Sequence, residues 1–333
     1  MSTPWPLVRV VAVAVAMSGA ASCSGIQSAL DPASPDAREI AALWWVMFGA
    51  SMVIFALVLA LLAYAIVGTP GFGGRMAGNH FIVIGGVVFP VVVLSLMVPF
   101  NTTVSSGASA AREPDTLTIH VRGRMWWWDV RYDDGTPGGG FRTANEIRLP
   151  VGEPVELLLT SRDVIHSLWI PRLAGKMDLI PGQTNRLMIE ADEPGRFRGQ
   201  CAEFCGASHA KMALYAVALP RERFDAWYRR QRDTAAAPVS DAGRRGAGLF
   251  AASGCGVCHT VRGHGADGRG GPDLTHVGSR LTLGAGLLPA DRAHFSRWLA
   301  HNQTLKPENR MPEFTELSPE ARNAIGAYLE ELE

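Results

Sequence analysis

The sequence lacks an excess of charge of either sign. Its 333 residues include 31 basic and 31 acidic side chains, so the formal net charge at pH 7 is zero. Nucleic-acid binding and long-range electrostatic steering both depend on a strong charge imbalance, and the composition supports neither. The length allows about two domains of roughly 150 residues each.

Cysteine is also scarce. The five cysteines are an odd number and fall into three settings: Cys23 alone, the pair Cys201 and Cys205, and the pair Cys255 and Cys258. No cysteine is left over for a general disulfide framework. The pattern fits an exported metalloprotein better than a secreted protein held together by disulfides.

The N-terminal segment predicts export. Arg9 precedes a run of small and apolar residues that ends at Cys23, and this order is typical of a secretory signal peptide, here 1–22. Lipidation of Cys23 and ordinary signal-peptidase cleavage both stay open, because Ala20 stands where lipoprotein signals usually carry leucine. Either alternative places the start of the mature chain outside a bacterial cytoplasmic membrane.

Two long apolar runs follow, at 41–67 and 81–100. The first has no charged residue, and a helix of its length spans about 40 Å, more than the roughly 30 Å apolar core of a bilayer. The second contains Pro90, which a membrane helix bundle tolerates. Arg75 and the lack of acids in the loop 68–80 place that loop on the cytoplasmic side. We therefore expect a transmembrane hairpin with both chain termini on the outer face.

After the hairpin the pattern changes to short alternating runs separated by turn residues. Seven of these runs predict strands, at 116–122, 126–132, 145–150, 154–160, 164–170, 186–191 and 212–219. Seven or more short strands predict an all-β sandwich or a Greek-key barrel. Arg221–Arg232 predicts a helix that closes this domain.

Sulfur and imidazole groups cluster in the stretch 200–212. Cys201 and Cys205 are four residues apart, and His209 and Met212 follow, while His166 lies upstream at the predicted end of a strand. Thiolates, imidazoles and a thioether suit copper better than calcium, magnesium or manganese. Tetrahedral zinc and a disulfide between the two cysteines are the alternatives.

A second motif follows a small-residue linker at 233–240. Cys255, Cys258 and His259 form C-x-x-C-H, the attachment signature of a c-type haem, in which the thiols bond to the porphyrin and the imidazole binds iron. A thioredoxin-like or zinc site is the alternative. G-P-D-L at 271–274 and R-M-P at 310–312 follow in the order of a small cytochrome c, so Met311 is the candidate sixth iron ligand.

With these motifs the chain resembles subunit II of the haem–copper cytochrome c oxidases, with a cytochrome c domain fused at the C-terminus. The resemblance implies a multidomain membrane protein with a two-helix transmembrane hairpin, an all-β cupredoxin Greek-key barrel and an all-α cytochrome c domain. The implied divisions are a signal peptide at 1–22, an N-terminal segment with the hairpin at 23–110, a cupredoxin domain at 111–232, a linker at 233–240 and a cytochrome c domain at 241–333.

The resemblance also implies the roles of the residues. In that family the loop binds the dinuclear copper centre CuA, which Cys201 and Cys205 would bridge. His166 and His209 would be terminal ligands, and the weak ligands would be Met212 and the backbone carbonyl of Glu203.

Three further roles rest on the same resemblance. The Glu203 carboxylate would bind a magnesium ion shared with subunit I. Trp126, the first of three consecutive tryptophans, would carry electrons, although such tryptophans also fill β-cores. Arg280 would neutralise a haem propionate, and Trp298 and the last helix, 319–333, would pack on the haem.

Two positions depart from the family pattern. The start of the second span has no acid, so the proton entry residue stays open, with His80 as a speculative substitute. Arg131 stands where many relatives carry an acid for docking cytochrome c.

The implied function is electron relay in a respiratory complex. The covalent haem c would accept electrons from the bc1 complex or a cytochrome c and pass them to CuA, and so to the oxygen-reducing centre of subunit I, with subunit III as a further partner. A short flexible linker would keep the two centres together. The alternatives are a CuA-type nitric oxide reductase subunit and a non-catalytic copper-binding or copper-delivery protein.

Overall fold

The computed structural model describes residues 25–67, 78–105, 116–133, 135–136 and 139–333. The predicted signal peptide, Cys23 and Arg75 lie outside these residues. The chain divides into two compact units, Asp36–Ala111 and the combination of Met1–Pro35 with Arg112–Glu333.

The smaller unit is helical and apolar. Helix α1, Pro35–Val67, begins six residues before the predicted span. The second span consists of α2, Asn79–Val83, a π-helical turn, Ile84–Val88, and α3, Phe89–Ser105. Pro90 has no N–H to donate, and the π turn lies directly before it, where that hydrogen bond is missing.

Both helical segments are long and apolar enough to cross a membrane. The candidate spans are Pro35–Val67 and Asn79–Thr102, with mean hydropathies of 2.7 and 2.8. None of the most apolar part of either span is buried within the protein. A core helix of a water-soluble domain buries one apolar face, so exposure on all sides favours the predicted lipid environment.

The larger unit begins with a β-sandwich of two five-stranded sheets. The first sheet has the order β3-β2-β1-β5-β8 and the second the order β4-β10-β9-β6-β7. The strands are β1 Leu117–Arg124, β2 Trp127–Tyr132, β3 Phe141–Ala144, β4 Glu146–Pro150, β5 Val155–Ser161, β6 His166–Trp169, β7 Met177–Leu179, β8 Asn185–Ile189, β9 Gly195–Cys201 and β10 Ala213–Leu219.

The sandwich core comes from alternate side chains of both sheets. Large side chains with almost no exposure fill the space between the sheets, among them Ile119, Trp128, Tyr132, Leu149, Leu157, Leu168 and Phe197. The predicted all-β domain is therefore confirmed. Helix α4, Arg221–Arg232, closes one end as predicted, because Trp227 packs edge-on against Tyr132 at 5.2 Å and Phe141 at 5.6 Å between ring centroids.

Three strands and two strand boundaries differ from the predictions. The sequence does not predict β3, β7 or β9, because these segments lack a clear apolar alternation. His166 begins β6 rather than ending a strand, because Val164 and Ile165 are exposed and Ser161 turns the chain by donating to the Val164 carbonyl. Trp126 lies just before β2, not within it.

The C-terminal part is mainly helical, as predicted. It also contains two short hairpins, Thr260–Val261 paired with Ala266–Asp267 and Thr282–Leu283 paired with Leu288–Pro289. Helices α5, Asp241–Ala252, α6, Arg292–Leu305, and α7, Pro319–Glu330, begin after side-chain caps on Ser240, Asp291 and Ser318. Helix α7 ends three residues before the predicted boundary. Helices α5 and α7 cross closely, and Phe250 meets Tyr328 edge-on at 5.4 Å between ring centroids.

The segment predicted as a flexible linker is packed against the helical domain. The Ala235 amide donates to the Arg262 carbonyl at 2.9 Å, and Ala235 is buried. Near the end of the segment, the Val239 amide donates to the Glu331 carboxylate at 2.8 Å. These hydrogen bonds hold both parts of the segment that the sequence predicts as a short flexible linker.

The α5–α7 crossing generates a stability prediction. A Cβ added at Gly246 would lie 1.9 Å from the Ala324 carbonyl oxygen, whereas one at Gly248, on the same helix, meets nothing within 4 Å. We expect Gly246→Ala to lower the free energy of unfolding by about 1–3 kcal/mol through overpacking. Gly248→Ala is the matched control, with an expected gain of up to about 1 kcal/mol from helix propensity.

Guanidinium unfolding of the full chain, followed by the visible absorbance of the haem domain, measures both variants. Equal stabilities for the two would contradict the close crossing.

Candidate metal and haem sites

The sulfur and imidazole groups meet at one end of the sandwich because three strand ends lie together there. Cys201 is the last residue of β9, and His166 is the first residue of the neighbouring β6. The chain then forms a loop and a short 3-10 turn, His209–Lys211, before β10 returns beside β9. Strand pairing on both sides therefore fixes the ends of the ligand loop.

The side chains predicted as copper ligands lie within contact distance of one another. The Sγ atoms of Cys201 and Cys205 are 3.8 Å apart. His166 Nδ1 lies 3.8 Å from the Cys201 sulfur, and His209 Nδ1 lies 3.5 Å from the Cys205 sulfur. Met212 Sδ is 4.0 Å from the Cys205 sulfur.

Both cysteines of this cluster are free and buried. Their sulfur separation exceeds the roughly 2.05 Å of a disulfide bond by a wide margin. His166, Cys201 and Cys205 each offer one atom within 4.8 Å of the others, an arrangement able to hold a metal ion. The set of soft sulfur and imidazole donors fits copper.

Electrostatics within the cluster favour one thiolate over two. The hydrogen bond with Cys205 is the main cause that lowers the pKa of Cys201, assisted by His166. The same hydrogen bond, with burial, raises the pKa of Cys205. Two adjacent thiolates repel each other in a buried site, so cations are needed to hold both in the deprotonated form that binds metal.

Asp163 orients the first imidazole. His166 Nε2 lies 2.8 Å from Asp163 Oδ1, which leaves Nδ1 facing the sulfur pair. Burial disfavours a charged imidazole, but the bond to Asp163 and the contact with Cys201 outweigh it and raise the pKa of His166. Gly123 allows the ring to sit there, because an added Cβ would lie 2.5 Å from it.

Trp126 and Glu203 also lie at this end of the sandwich. Trp126 is buried, and its indole Nε1 donates to the Cys205 carbonyl at 2.8 Å. The Glu203 backbone carbonyl lies 3.3 Å from the Cys201 sulfur. Its side chain is half-exposed, so the two ends of this residue face different surroundings.

The C-x-x-C-H motif occupies a 3-10 turn, Cys255–Val257, and the residues after it. His259 Nδ1 donates to the Pro272 carbonyl at 2.8 Å, which fixes the ring and leaves Nε2 free for iron. Burial lowers the pKa of His259, so the ring is neutral and able to act as a ligand at neutral pH. The G-P-D-L segment therefore fixes the orientation of the imidazole through the Pro272 carbonyl.

Met311 and Arg280 have surroundings that fit a covalent haem. Trp298 Nε1 lies 3.2 Å from Met311 Sδ, so the indole positions the thioether. Arg280 donates to the Asp273 carbonyl, while its buried Nε has no hydrogen-bond partner in the structure. A haem propionate would supply an acceptor for this otherwise unsatisfied donor.

Comparisons with known proteins identify both domains. Residues 139–218 match the family model described as cytochrome c oxidase subunit II, periplasmic domain, and residues 243–333 match the model for cytochrome c. The cytochrome c oxidase subunit 2 of Alkalihalophilus pseudofirmus is 35% identical over 92% of this chain and 90% of its own length. The chain belongs to the cytochrome c oxidase subunit II family.

The chain is also similar to a second relative and to a solved structure. The cytochrome c oxidase subunit 2 of Bacillus sp. (strain PS3) is 31% identical over 77% of this chain and 75% of its own length. Among solved structures, the periplasmic domain of cytochrome oxidase subunit II from Bradyrhizobium japonicum is 30% identical, covers 36% of this chain and 95% of that domain, and has a TM-score of 0.34.

Family membership indicates the complex, the cofactors and the membrane location of the protein. This subunit II is part of a haem–copper oxidase, an oxidoreductase complex that includes a subunit I. The two matched domains imply a CuA copper centre and a haem c. The two apolar helices and the periplasmic domain indicate a membrane-anchored protein with its metal domains on the outer face.

Two important residues escaped the sequence analysis. Asp163 stands three residues before His166, and a carboxylate at that spacing was the available signal. Lys306 is 3% exposed, and burial lowers the pKa of its ammonium to about 7. No local pattern marks Lys306, because its partners belong to the sandwich and to a distant hairpin.

The contact between Asp163 and His166 generates the prediction for this site. Asp163→Ala removes the group that orients the imidazole, and we expect copper affinity to fall about 10–100-fold, as is usual for such partners. Asp267→Asn, at an exposed position in the helical domain, is the control and should bind copper normally. Copper competition titrations with a chelator measure both, and equal affinities would exclude an orienting role.

Proposed function

We propose that this subunit II relays electrons from its own haem c to CuA, and from CuA to the oxygen-reducing centre of subunit I. The carrying observation is that both ligand sets lie in one compact unit, Met1–Pro35 with Arg112–Glu333. When bound, the haem and the copper pair supply one-electron carriers that the polypeptide lacks. The chain holds these carriers and excludes water from them.

Each residue of the copper cluster has a proposed role. Cys201 and Cys205 would hold the copper pair through their sulfurs, which accounts for two buried thiols beside each other. His166 and His209 would be the further ligands, each with Nδ1 directed at one sulfur. Met212 is a weak ligand, and the Glu203 carbonyl, beside the Cys201 sulfur, is another.

The haem has its own set of ligands. Cys255 and Cys258 would form thioether bonds to the porphyrin, and His259 and Met311 would bind the iron. Met/His ligation raises the reduction potential of a haem. A raised potential favours uptake of electrons by the haem from the proposed bc1 or cytochrome c donor.

Trp126 and Glu203 face the partner subunit in this proposal. Trp126 touches the copper loop through the Cys205 carbonyl, so it is the proposed exit for electrons. The Glu203 carboxylate is the proposed ligand of a magnesium ion shared with subunit I. Subunit III and either the bc1 complex or a cytochrome c complete the proposed partners, the last two as electron donors.

The proposed location is the bacterial cytoplasmic membrane. The chain crosses it twice, through Pro35–Val67 and Asn79–Thr102, with both termini on the outer face. Both metal domains then face the periplasm or the exterior, where a c-type donor is available.

Purification of the membrane complex tests the proposal. Metal analysis should find dinuclear copper and no zinc in this subunit, with covalent haem c, and the complex should consume oxygen when reduced. Turnover of nitric oxide instead of oxygen would favour a nitric oxide reductase. Reversible loading of a single copper ion without electron transfer would favour copper delivery.

The two methionines should separate the two centres. Met212→Leu removes a sulfur beside Cys205, so we expect an altered CuA EPR spectrum with an unchanged haem spectrum. Met311→Leu removes the proposed iron ligand, so we expect an altered haem spectrum with an unchanged CuA signal. Each variant is the control for the other, and two unaltered spectra in both variants would refute the assignments.

A further inference from the structure

The helical domain is docked on the copper-binding end and flank of the sandwich by hydrogen bonds. Arg124 Nη1 donates to the Gly270 carbonyl at 3.3 Å, next to the haem-binding histidine loop. Arg148 Nη2 donates to the Ser279 carbonyl at 2.9 Å, and the Leu281 amide donates to Glu146 at the same distance. These bonds involve buried or half-buried side chains, so the contact is specific.

The tip of the hairpin 282–289, residues 284–287, contacts the residue that follows Met212. The Ala213 amide donates to the Ala285 carbonyl at 3.1 Å. A Cβ added at Gly286 would lie 2.9 Å from the Ala213 side chain, and one at Gly284 would lie 2.8 Å from the Trp298 ring. The tip is therefore held between Trp298 and the start of β10.

Lys306 joins this tip to the copper loop. Its ammonium donates to the Lys211 carbonyl at 2.8 Å and to the Gly284 carbonyl at 2.9 Å. The chain has three lysines, Lys176, Lys211 and Lys306, and the last two both bond across this interface. Two flanking bonds are Lys211 Nζ to the Leu305 carbonyl and Ser208 Oγ to the Pro307 carbonyl, each 2.7 Å.

These contacts form an unbroken route between the two sites. Met311 accepts a hydrogen bond from Trp298, whose ring packs on Gly284. The Gly284 carbonyl shares the Lys306 ammonium with the Lys211 carbonyl, and Lys211 precedes Met212 in the chain. Met212 in turn touches Cys205.

We propose that Lys306 is a positioning residue for electron transfer, which fixes the helical domain so that Met311 and Met212 stay connected through Trp298 and Gly284. The inference rests on the proposed relay and adds the residue that sets its geometry. A buried amino group that donates to two carbonyls has strict geometry, since an apolar replacement leaves both oxygens unsatisfied.

The experiment compares intact oxidase complexes that contain the natural chain, Lys306→Met, Lys306→Gln or Arg297→Met. Met matches the length of lysine without its donors, and the Gln amide ends one bond short of bridging both carbonyls. Arg297, exposed on helix α6, which ends directly before Lys306, is the control for loss of a positive charge. Flash reduction of the haem with a photoexcited ruthenium complex starts electron transfer to copper, and hydrogen exchange of peptides containing Ala213 reports on docking.

We expect haem-to-copper transfer at least about tenfold slower in Lys306→Met, because small displacements between reacting groups have large rate effects. Exchange at the Ala213 amide should accelerate, while the haem optical spectrum and the copper EPR spectrum stay unchanged. In Lys306→Gln the transfer rate and the amide exchange should change in the same direction. In Arg297→Met both quantities should equal those of the natural chain.

An unchanged transfer rate and unchanged exchange in Lys306→Met would overturn the proposal. If Lys306→Met loses either spectrum, Lys306→Gln decides by the same criteria. A natural chain that passes no electrons from haem to copper would refute the relay itself. In that case the exchange measurement would still show whether Lys306 holds the domains together.

Discussion

The packing of two sulfur atoms against each other is the constraint on which the rest of the structure depends. Cys201 and Cys205 lie on one loop with their sulfurs 3.8 Å apart, and an imidazole flanks each of them. Such a pair is unfavourable as two free thiolates, so the loop needs rigid support. Pairing of β9 with β10 supports both ends of the loop, and the contact with Asp163 holds His166 in place.

The same loop also carries the contact with the haem domain. Ser208, Lys211 and Ala213 lie beside the proposed copper ligands, and each makes a hydrogen bond to the helical domain. A movement of that domain therefore acts directly on the residues that shape the copper site. This arrangement differs from two independent modules on a flexible tether, since docking and metal binding share one short segment.

Buried nitrogen donors give the interface its specificity. Lys306 donates to two backbone carbonyls, while Arg124 donates to backbone carbonyls and also pairs with Asp129 at 3.5 Å. Burial lowers the pKa of both groups, because it disfavours their charged forms. An apolar interface of similar size would let the helical domain slide on the sandwich, whereas directional hydrogen bonds from buried donors favour one orientation of the two domains.

The sequence alone determined the chemistry and the kinds of domain. Motif spacing identified Cys201, Cys205 and the C-x-x-C-H unit, and hydrophobic patterns predicted the spans, the sandwich and the closing helix, because these signals are local in the chain. The bounds of β9, the start of β6 at His166 and the packed linker depended on tertiary contacts. Only the tertiary structure brings Lys306 to its carbonyl partners, because they lie 95 and 22 residues away in the chain. Local sequence patterns do not predict such long-range contacts.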